Sequence, residues 1–569
     1  MNKWYGLLIS AVITLLALLT SFSQVDTISG VVSDLSGRPV PGAIVRVKGT
    51  DISTLTDSNG SFNLIDFIPA LRTRVTAWKD GYYTAGADAL PWNATVDLTL
   101  SSYIGADNPD YAWIPPAIET RSKVEEWITQ TGLYLADWIS FNRIFQPLAE
   151  RLTLGCRDCH GQTIYNQWAA SAHALGGQNA RFLTMYNGMD LSGNQSPTTR
   201  FGYSRDYGSF PLPPDSNQPY YGPGYKLDFP ETAGNCATCH LPTAATEQHY
   251  ARDPNQVDGV RAQGTHCDFC HKIATVKLDT ATGQPYENMP GILSIELMRP
   301  SSESQLFFGP YDDVDVGPDT YLPLMKQSEI CAPCHSASFW GVPIYQSFSE
   351  WQASPYPAEG KTCQTCHMQP DGVTTNFAPG RGGVERDPNT IPTHSFPGAT
   401  DETLLENTAE MTVITQRKGD QLIVDVSVTN TEGGHHIPTG SPLRQIFLVV
   451  RASDEKGRTL VLQNGPKLPD WSGNLKDLPG VYFAKILEQL WTGITPTGAY
   501  WTPTRLVEDN RLPARSTNTS HYVFGSQDSG DINVEAQLIF RRAYYELMQQ
   551  KGWETPDIMM ESISVSVPE

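Results

Sequence analysis

Hydrophobic and polar positions change rhythm twice along the 569 residues. From residue 27 to about 101 they alternate over short runs: Ala43, Val45 and Val47 fall on one face, Ile44, Arg46 and Lys48 on the other. A period of two marks a half-buried strand. Turn signals at Leu35-Ser36-Gly37 and Asp57-Ser58-Asn59-Gly60 separate the runs, and the pattern predicts a small β-sandwich. Residues 102–120, with Asn108-Pro109 and Pro115-Pro116, read as a linker. Val124 to Phe145 then carries Val124, Trp127, Ile128, Leu135, Trp138 and Ile139 at partly helical spacing. Between Gly176 and Gly234 periodicity fades among Gly, Pro, Asn and Tyr, an irregular stretch too long for an ordinary domain. Alternation returns from about 401, with Leu422, Val424, Val426 and Val428 after the Lys418-Gly419-Asp420 turn and an apolar run from Gln445 to Val450. It predicts a second sandwich with a helix near Arg541 to Lys551 and a last strand near Ile563 to Val567. The expected fold class is multidomain: an N-terminal β-sandwich (27–101), a central mostly α or irregular domain (121–400) and a C-terminal β-sandwich-like domain (401–569).

The first 23 residues read as a signal peptide. Lys3 is the positive end, Leu7 to Leu19 the apolar core and Ser21-Phe22-Ser23 the small-x-small cleavage site. The apolar run is shorter than the ~20 residues of a spanning helix, so a retained anchor is the second choice. No later segment is apolar enough to span, and the expected location is outside the cytoplasm: periplasmic, cell-surface or extracellular.

What organises the chain is its cysteines. All ten fall in five copies of C-x-x-C-H: Cys156-Cys159-His160, Cys236-Cys239-His240, Cys267-Cys270-His271, Cys331-Cys334-His335 and Cys363-Cys366-His367. This is the attachment signature of c-type haem. Two thiols one helical turn apart form thioethers to the porphyrin vinyl groups, and the next histidine sits beneath the iron. Zinc ribbons pair such motifs two to a metal. Five pairs do not divide that way, and zinc gives no reason for a histidine after each second cysteine. The cofactors expected are therefore five covalently bound haem c, with iron. They also account for the irregular middle third, where cofactors replace side-chain core, and for 47 glycines and 42 prolines against an ordinary combined share of ~12%.

Seven of the twelve histidines remain as partners on the opposite faces of the irons: His173, His249, His266, His394, His435, His436 and His521. Their number permits two histidines for every haem. His266 immediately precedes Cys267, so it cannot reach the far face of that haem and belongs to a neighbour's iron. His173 lies thirteen residues after His160, a helical rise of ~20 Å, and it too serves another haem, with Trp168 and Ser171 packed around it. His249 enters by elimination. His521, in a strand-like run, reads as structural. Met185, Met189 and Met368 lie near motifs and compete as ligands that would raise the potential.

The run C-x-x-C-H followed by W-x-x-S-x-H resembles multihaem cytochromes related to the tetrahaem electron acceptor of hydroxylamine oxidoreductase. A partial repeat at Trp351-Gln352-Ala353-Ser354-Pro355-Tyr356 has tyrosine in place of the histidine, so no ligand carries over there. C-Q-T-C-H-M, then T-H-S-F-P-G around His394 and G-G-H-H-I-P-T-G around His435, also resemble exported multihaem cytochromes ending in a β-domain. That resemblance covers residues 150–569 and implies His394 and one of His435 or His436 as distal ligands. Residues 27–101, through S-G-V-V-S-D-L-S-G-R-P-V-P-G-A-I-V-R-V and T-D-S-N-G-S-F-N-L, resemble the carboxypeptidase-regulatory-like domain, a non-catalytic spacer or binding module.

The net charge of −21 with no basic cluster argues against a nucleic-acid partner. The leading expectation is an electron carrier between a redox protein donor and acceptor, with other copies of itself as a further partner, rather than an enzyme. The motif order suggests a row of cofactors capped by the two β-domains. The alternative is a reductase or oxidase of a small nitrogen or sulfur compound with one open haem. All five motifs end in histidine, which departs from the C-x-x-C-K site of pentahaem nitrite reductases. A third expectation makes the N-terminal sandwich an adhesion module with the haems secondary.

Overall fold

The computed structural model describes residues 27–65, 73–90, 93–118, 155–301, 304–526 and 530–569. The expected signal segment and the helical run at Val124 to Phe145 lie outside them. Both β-regions form as the alternation predicts. In the first, strands Ser61–Ile65, Thr27–Asp34 and Leu98–Leu100 form one sheet, and Ser53–Leu55, Ile44–Val47, Thr73–Trp78 and Ala85–Ala89 the other. Val45 and Val47 turn into the core with Ile28, Val32, Phe62 and Val75. Gly30 has to be glycine, because a Cβ would stand 1.8 Å from the Val96 carbonyl oxygen.

The C-terminal sandwich pairs a four-stranded sheet (Ala409–Lys418, Gln421–Asn430, Thr517–Gly525, Leu462–Asn464) with a five-stranded one. The latter runs Thr504–Asp509, Gly480–Gln489, Gln445–Asp454, Ile532–Arg541, Ile558–Val567. Leu422, Val424, Val426 and Val428 are at most 1% exposed and pack against Ile446, Leu448 and Val450 of the facing sheet. Both faces of the strand Gln445–Asp454 are covered, Ile446, Leu448 and Val450 by the facing sheet and Phe447 and Val449 by Leu468 and Leu475, which explains its unbroken apolar run. One boundary moves. Arg541, expected to begin a helix, ends a strand, and the helix is Tyr545–Lys551. The Arg541 side chain is buried and held by Asp557 through two hydrogen bonds of 2.9 and 2.7 Å, which keeps the chain extended up to the turn.

Between the sandwiches the chain forms short helices and two-stranded ribbons. The outward face of the first sandwich is covered by this middle region. Arg46 reaches Asp312 at 2.7 and 2.9 Å, Lys48 reaches Asp315 at 2.7 Å, and the Gly49 N–H donates to Asp313 at 2.7 Å. Trp78 donates its indole N–H to Thr320 at 3.0 Å. Residues 102–118 follow the surface of the middle region: Asp107 is bound by the buried Arg299 guanidinium at 2.6 Å, and Tyr111 and Trp113 enter a core with Phe269 and Ile273.

Candidate cofactor cavity

Each C-x-x-C-H forms a helical turn, at Cys156–Ala169, Ala237–His240, Cys267–Cys270, Ala332–His335 and Cys363–His367. The third turn is the most firmly anchored. Asp268, buried inside the motif, accepts from Lys272 at 2.6 Å, from the Tyr111 hydroxyl at 3.0 Å and from the Ile114 N–H at 2.8 Å.

All five turns open into one cavity of about 2580 Å³. Pockets for a single small ligand run ~300–1,000 Å³, so this one has room for several cofactors. Its wall contains all ten cysteines and nine histidines: His160, His173, His240, His266, His271, His335, His367, His394 and His435. The thiols are free, and no group of three or more Cys, His, Asp or Glu converges as a metal cage among the described residues. Two thiols per turn with a histidine behind them, spread around a large apolar space, fit porphyrins and do not fit zinc.

The imidazoles are prepared to ligate. His160, His240, His271 and His367 direct Nδ1 at the carbonyl oxygens of Phe377, Gly176, Phe308 and Pro397, at 2.9, 3.2, 2.6 and 2.7 Å. A carbonyl only accepts, so Nδ1 carries the proton and Nε2 keeps the lone pair, the usual arrangement behind a metal-bound histidine. Burial favours the neutral ring: it pulls His271, His173, His266 and His435 down to about 4, and His335 and His394 to about 3.

Two pairs of rings stand across from one another. His367 and His435 are stacked at 11° with centroids 6.4 Å apart, and His173 and His335 are 6.2 Å apart at 85°. One metal between two imidazoles, with bonds of about 2 Å to each nitrogen, separates the ring centres by about 6.3 Å. Of the remaining wall histidines, His394 lies beside His271 and His160. His266 is completely buried with Nε2 unpartnered, Trp113 at its edge. Facing His240 the structure brings an aromatic ring, Phe182, stacked at 3.9 Å and 5°.

The remaining histidines and the three methionines are placed as follows. His249 is outside the wall, its Nδ1 donating to the Ala245 carbonyl at 2.6 Å. His436 is also outside, its backbone N–H bound by Glu350 at 3.2 Å. His521 pairs with Asp425 on the outer face of a strand. Met185 and Met368 line the cavity, Met189 does not, and Met185 packs into a cluster with Tyr544, Leu547 and Trp553. Tyr356, which replaces a histidine in the partial repeat, is buried with its hydroxyl on the Thr431 carbonyl.

The spatial order of the motifs differs from their order in sequence. The thiol of Cys156 stands beside that of Cys267, Cys239 beside Cys334 and Cys331 beside Cys363, and Cys270 is close to both Cys331 and Cys334. The third motif therefore lies between the first and the fourth, with the second and fifth both beside the fourth. The expected row in chain order is replaced by a branched cluster. Residues invisible to motif reading complete the wall: Arg181, Arg444, Arg542, Tyr345 and Tyr500. None carries a local signal, because long-range folding alone brings them here.

Residues 27–101 match the carboxypeptidase regulatory-like domain. A stretch of 63 residues is 38% identical to the TonB-dependent receptor SusC of Bacteroides thetaiotaomicron, which is 11% of this chain and 6% of that receptor's length. The wider comparison is structural. A penta-haem cytochrome c552 from Thermochromatium tepidum superposes with a TM-score of 0.50 over 72% of this chain and 97% of its own, at 20% identity. The chain is similar in fold to a multihaem cytochrome. That likeness spans far more than the N-terminal domain and agrees with the cavity and its ring of cysteines. No helix among the described residues is long and apolar enough to cross a membrane.

Proposed function

We propose that this chain is an exported c-type cytochrome that carries electrons through five covalently bound haems packed in one cavity. The observation that carries the reading is the pair of histidine couples set about one iron apart, each with a C-x-x-C-H member. When bound, haem supplies one-electron redox chemistry, and the protein's part is to fix axial ligands, exclude water and hold the groups close together. His335 with His173, and His367 with His435, would hold the fourth and fifth haems. His394 serves the third with His271. His266, whose neighbouring Cys267 abuts Cys156 of the first motif, serves the first with His160. Four haems then have no free coordination position, which favours transfer over substrate chemistry, between a redox protein donor and acceptor.

The second haem is different, since no wall histidine is left for the face opposite His240. That favours a second reading in which this one site binds a small nitrogen or sulfur compound. Spectroscopy of the oxidised protein, with haem content measured alongside, tests both. The expected result is five haems per chain, about four-fifths low-spin and about one-fifth high-spin. Absence of covalent haem overturns the cytochrome; a wholly low-spin spectrum overturns the open second site. The adhesion-module reading of the N-terminal domain is disfavoured by its burial against the middle region, and Arg46 and Lys48 are themselves part of the cavity wall.

A further inference from the structure

The buried arginines among the described residues have carboxylate partners: Arg299 with Asp107, Arg511 with Glu350, and Arg541 with Asp557; the half-buried Arg46 and Arg386 have them too, in Asp312 and Asp313. Three arginines in the cavity wall break the rule. Arg181 donates to the Thr555 hydroxyl at 2.6 Å and lies over the Trp553 ring, and Arg444 donates to the Thr439 carbonyl at 2.9 Å. Arg542 has neither kind of partner, and no carboxylate pairs with any of the three among the described residues. What Arg181 and Arg444 meet is burial and each other's neighbourhood of positive charge, which hold both down at about 10. Three guanidinium groups gathered at a desolvated wall need anionic counter-groups.

Their position is specific. Arg181 precedes Phe182, the ring stacked on His240. Arg444 lies near His335 and His435 and beside Tyr345, whose hydroxyl is hydrogen-bonded to that of Tyr500, and both tyrosines lie close to the thiols of Cys236 and Cys239. We propose that Arg181, Arg444 and Arg542 form a binding site for a carboxylate or small oxyanion between the second and fourth haems. The inference rests on the haem reading and deepens it. The anion has two possible sources with the same chemistry: a haem propionate, or a free oxyanion entering from solvent. Planar guanidinium groups bind either one bidentately.

The test uses the full-length haem-loaded protein with Arg542→Gln and Arg444→Gln, and Arg542→Lys as the variant that keeps the charge. Haem content, midpoint potentials, and binding of nitrite and acetate followed by the ferric spectrum are measured for each. With a propionate as occupant, both Gln variants lower the potential of one haem, Arg542→Lys restores it, and wild type takes up neither anion. With a free oxyanion, wild type binds nitrite or acetate saturably, the Gln variants bind about tenfold more weakly or worse, and Arg542→Lys recovers part of the affinity. Unchanged potentials and unchanged anion affinity in both Gln variants, at normal haem content, overturn the arginine site while leaving the cytochrome intact. Loss of one Gln variant to misfolding leaves the decision to the other by the same criteria, and loss of both leaves it to Arg181→Gln, read the same way. Missing haem in wild type overturns the underlying reading instead.

Discussion

His435 and His436 are chemically identical neighbours that the fold sends in opposite directions. His435 turns its ring parallel to that of His367, its Nδ1 donating to the His436 carbonyl at 2.9 Å. His436 stays outside the wall beside Glu350, a carboxylate already engaged by Arg511 at 2.6 Å and by the Thr439 hydroxyl at 2.6 Å. Glu350 thus holds the His436 N–H and the Thr439 hydroxyl, on either side of Ile437, and leaves the His435 imidazole to face the cavity. His435→Ala is expected to convert about one-fifth of the ferric haem from low- to high-spin, with His436→Ala leaving the spin state as in wild type. Paramagnetic resonance of the two variants checks this, and equal or reversed spectra would remove His435 from the ligand set.

Among the elements, the segment Gly264-Thr265-His266 shows how loops substitute for a core. The Trp168 indole at the end of the first motif's helix donates to the Thr265 carbonyl at 3.0 Å, and the Thr265 N–H donates to the His173 carbonyl at 2.9 Å. Two histidines of the wall are thereby held by one strap. Gly264 makes the approach possible: its φ is +62°, and a Cβ there would fall 2.1 Å from the His173 carbonyl oxygen. Gly264→Ala has to displace His173 or twist the strap, at a strain of about 1–3 kcal/mol. A lower melting temperature together with a high-spin fraction is the expected outcome. A lower melting temperature with an unaltered spectrum would show that the strap stabilises without placing the ring.

At the level of the whole molecule, the N-terminal sandwich contributes to the wall of the cavity. Asp315, with no exposed side chain, accepts from Lys48 at 2.7 Å and from Arg74 Nε at 2.7 Å. The same segment carries Phe308, whose carbonyl holds His271 and whose ring meets Tyr103 edge-on at 5.7 Å. Docking of the first domain and placement of the third proximal histidine are therefore mechanically joined. Asp315→Ala leaves the buried Lys48 ammonium without its carboxylate, while Arg74 keeps Asp88 at 3.3 Å, and is expected to cost about 3 kcal/mol. Calorimetry reads the loss, and proteolysis of residues 102–118 should accelerate. A stability within 1 kcal/mol of wild type, on the order of an exposed ion pair, would show that the interface is wet and loosely held.

Much of this protein is local and could be read directly. Thioether attachment needs two cysteines and a histidine within one helical turn, so the five motifs name their own proximal ligands. The sandwiches announce themselves because a strand with one buried face must alternate. The proposed distal ligation has no such local form: His173, His266, His394 and His435 come from four separate loops, and backbone carbonyls, whose residue identity is irrelevant, hold four of the five motif histidines. His249 entered only by elimination, and the last carbonyl of the short helix before it, Ala245, takes its Nδ1. Arg46 and Lys48 likewise read as a solvated strand face until Asp312 and Asp315 arrive from more than 260 residues away. The chain order of the motifs is written in the sequence; their branched order in space belongs to the tertiary structure, because contacts between haem sites depend on how the loops between them close.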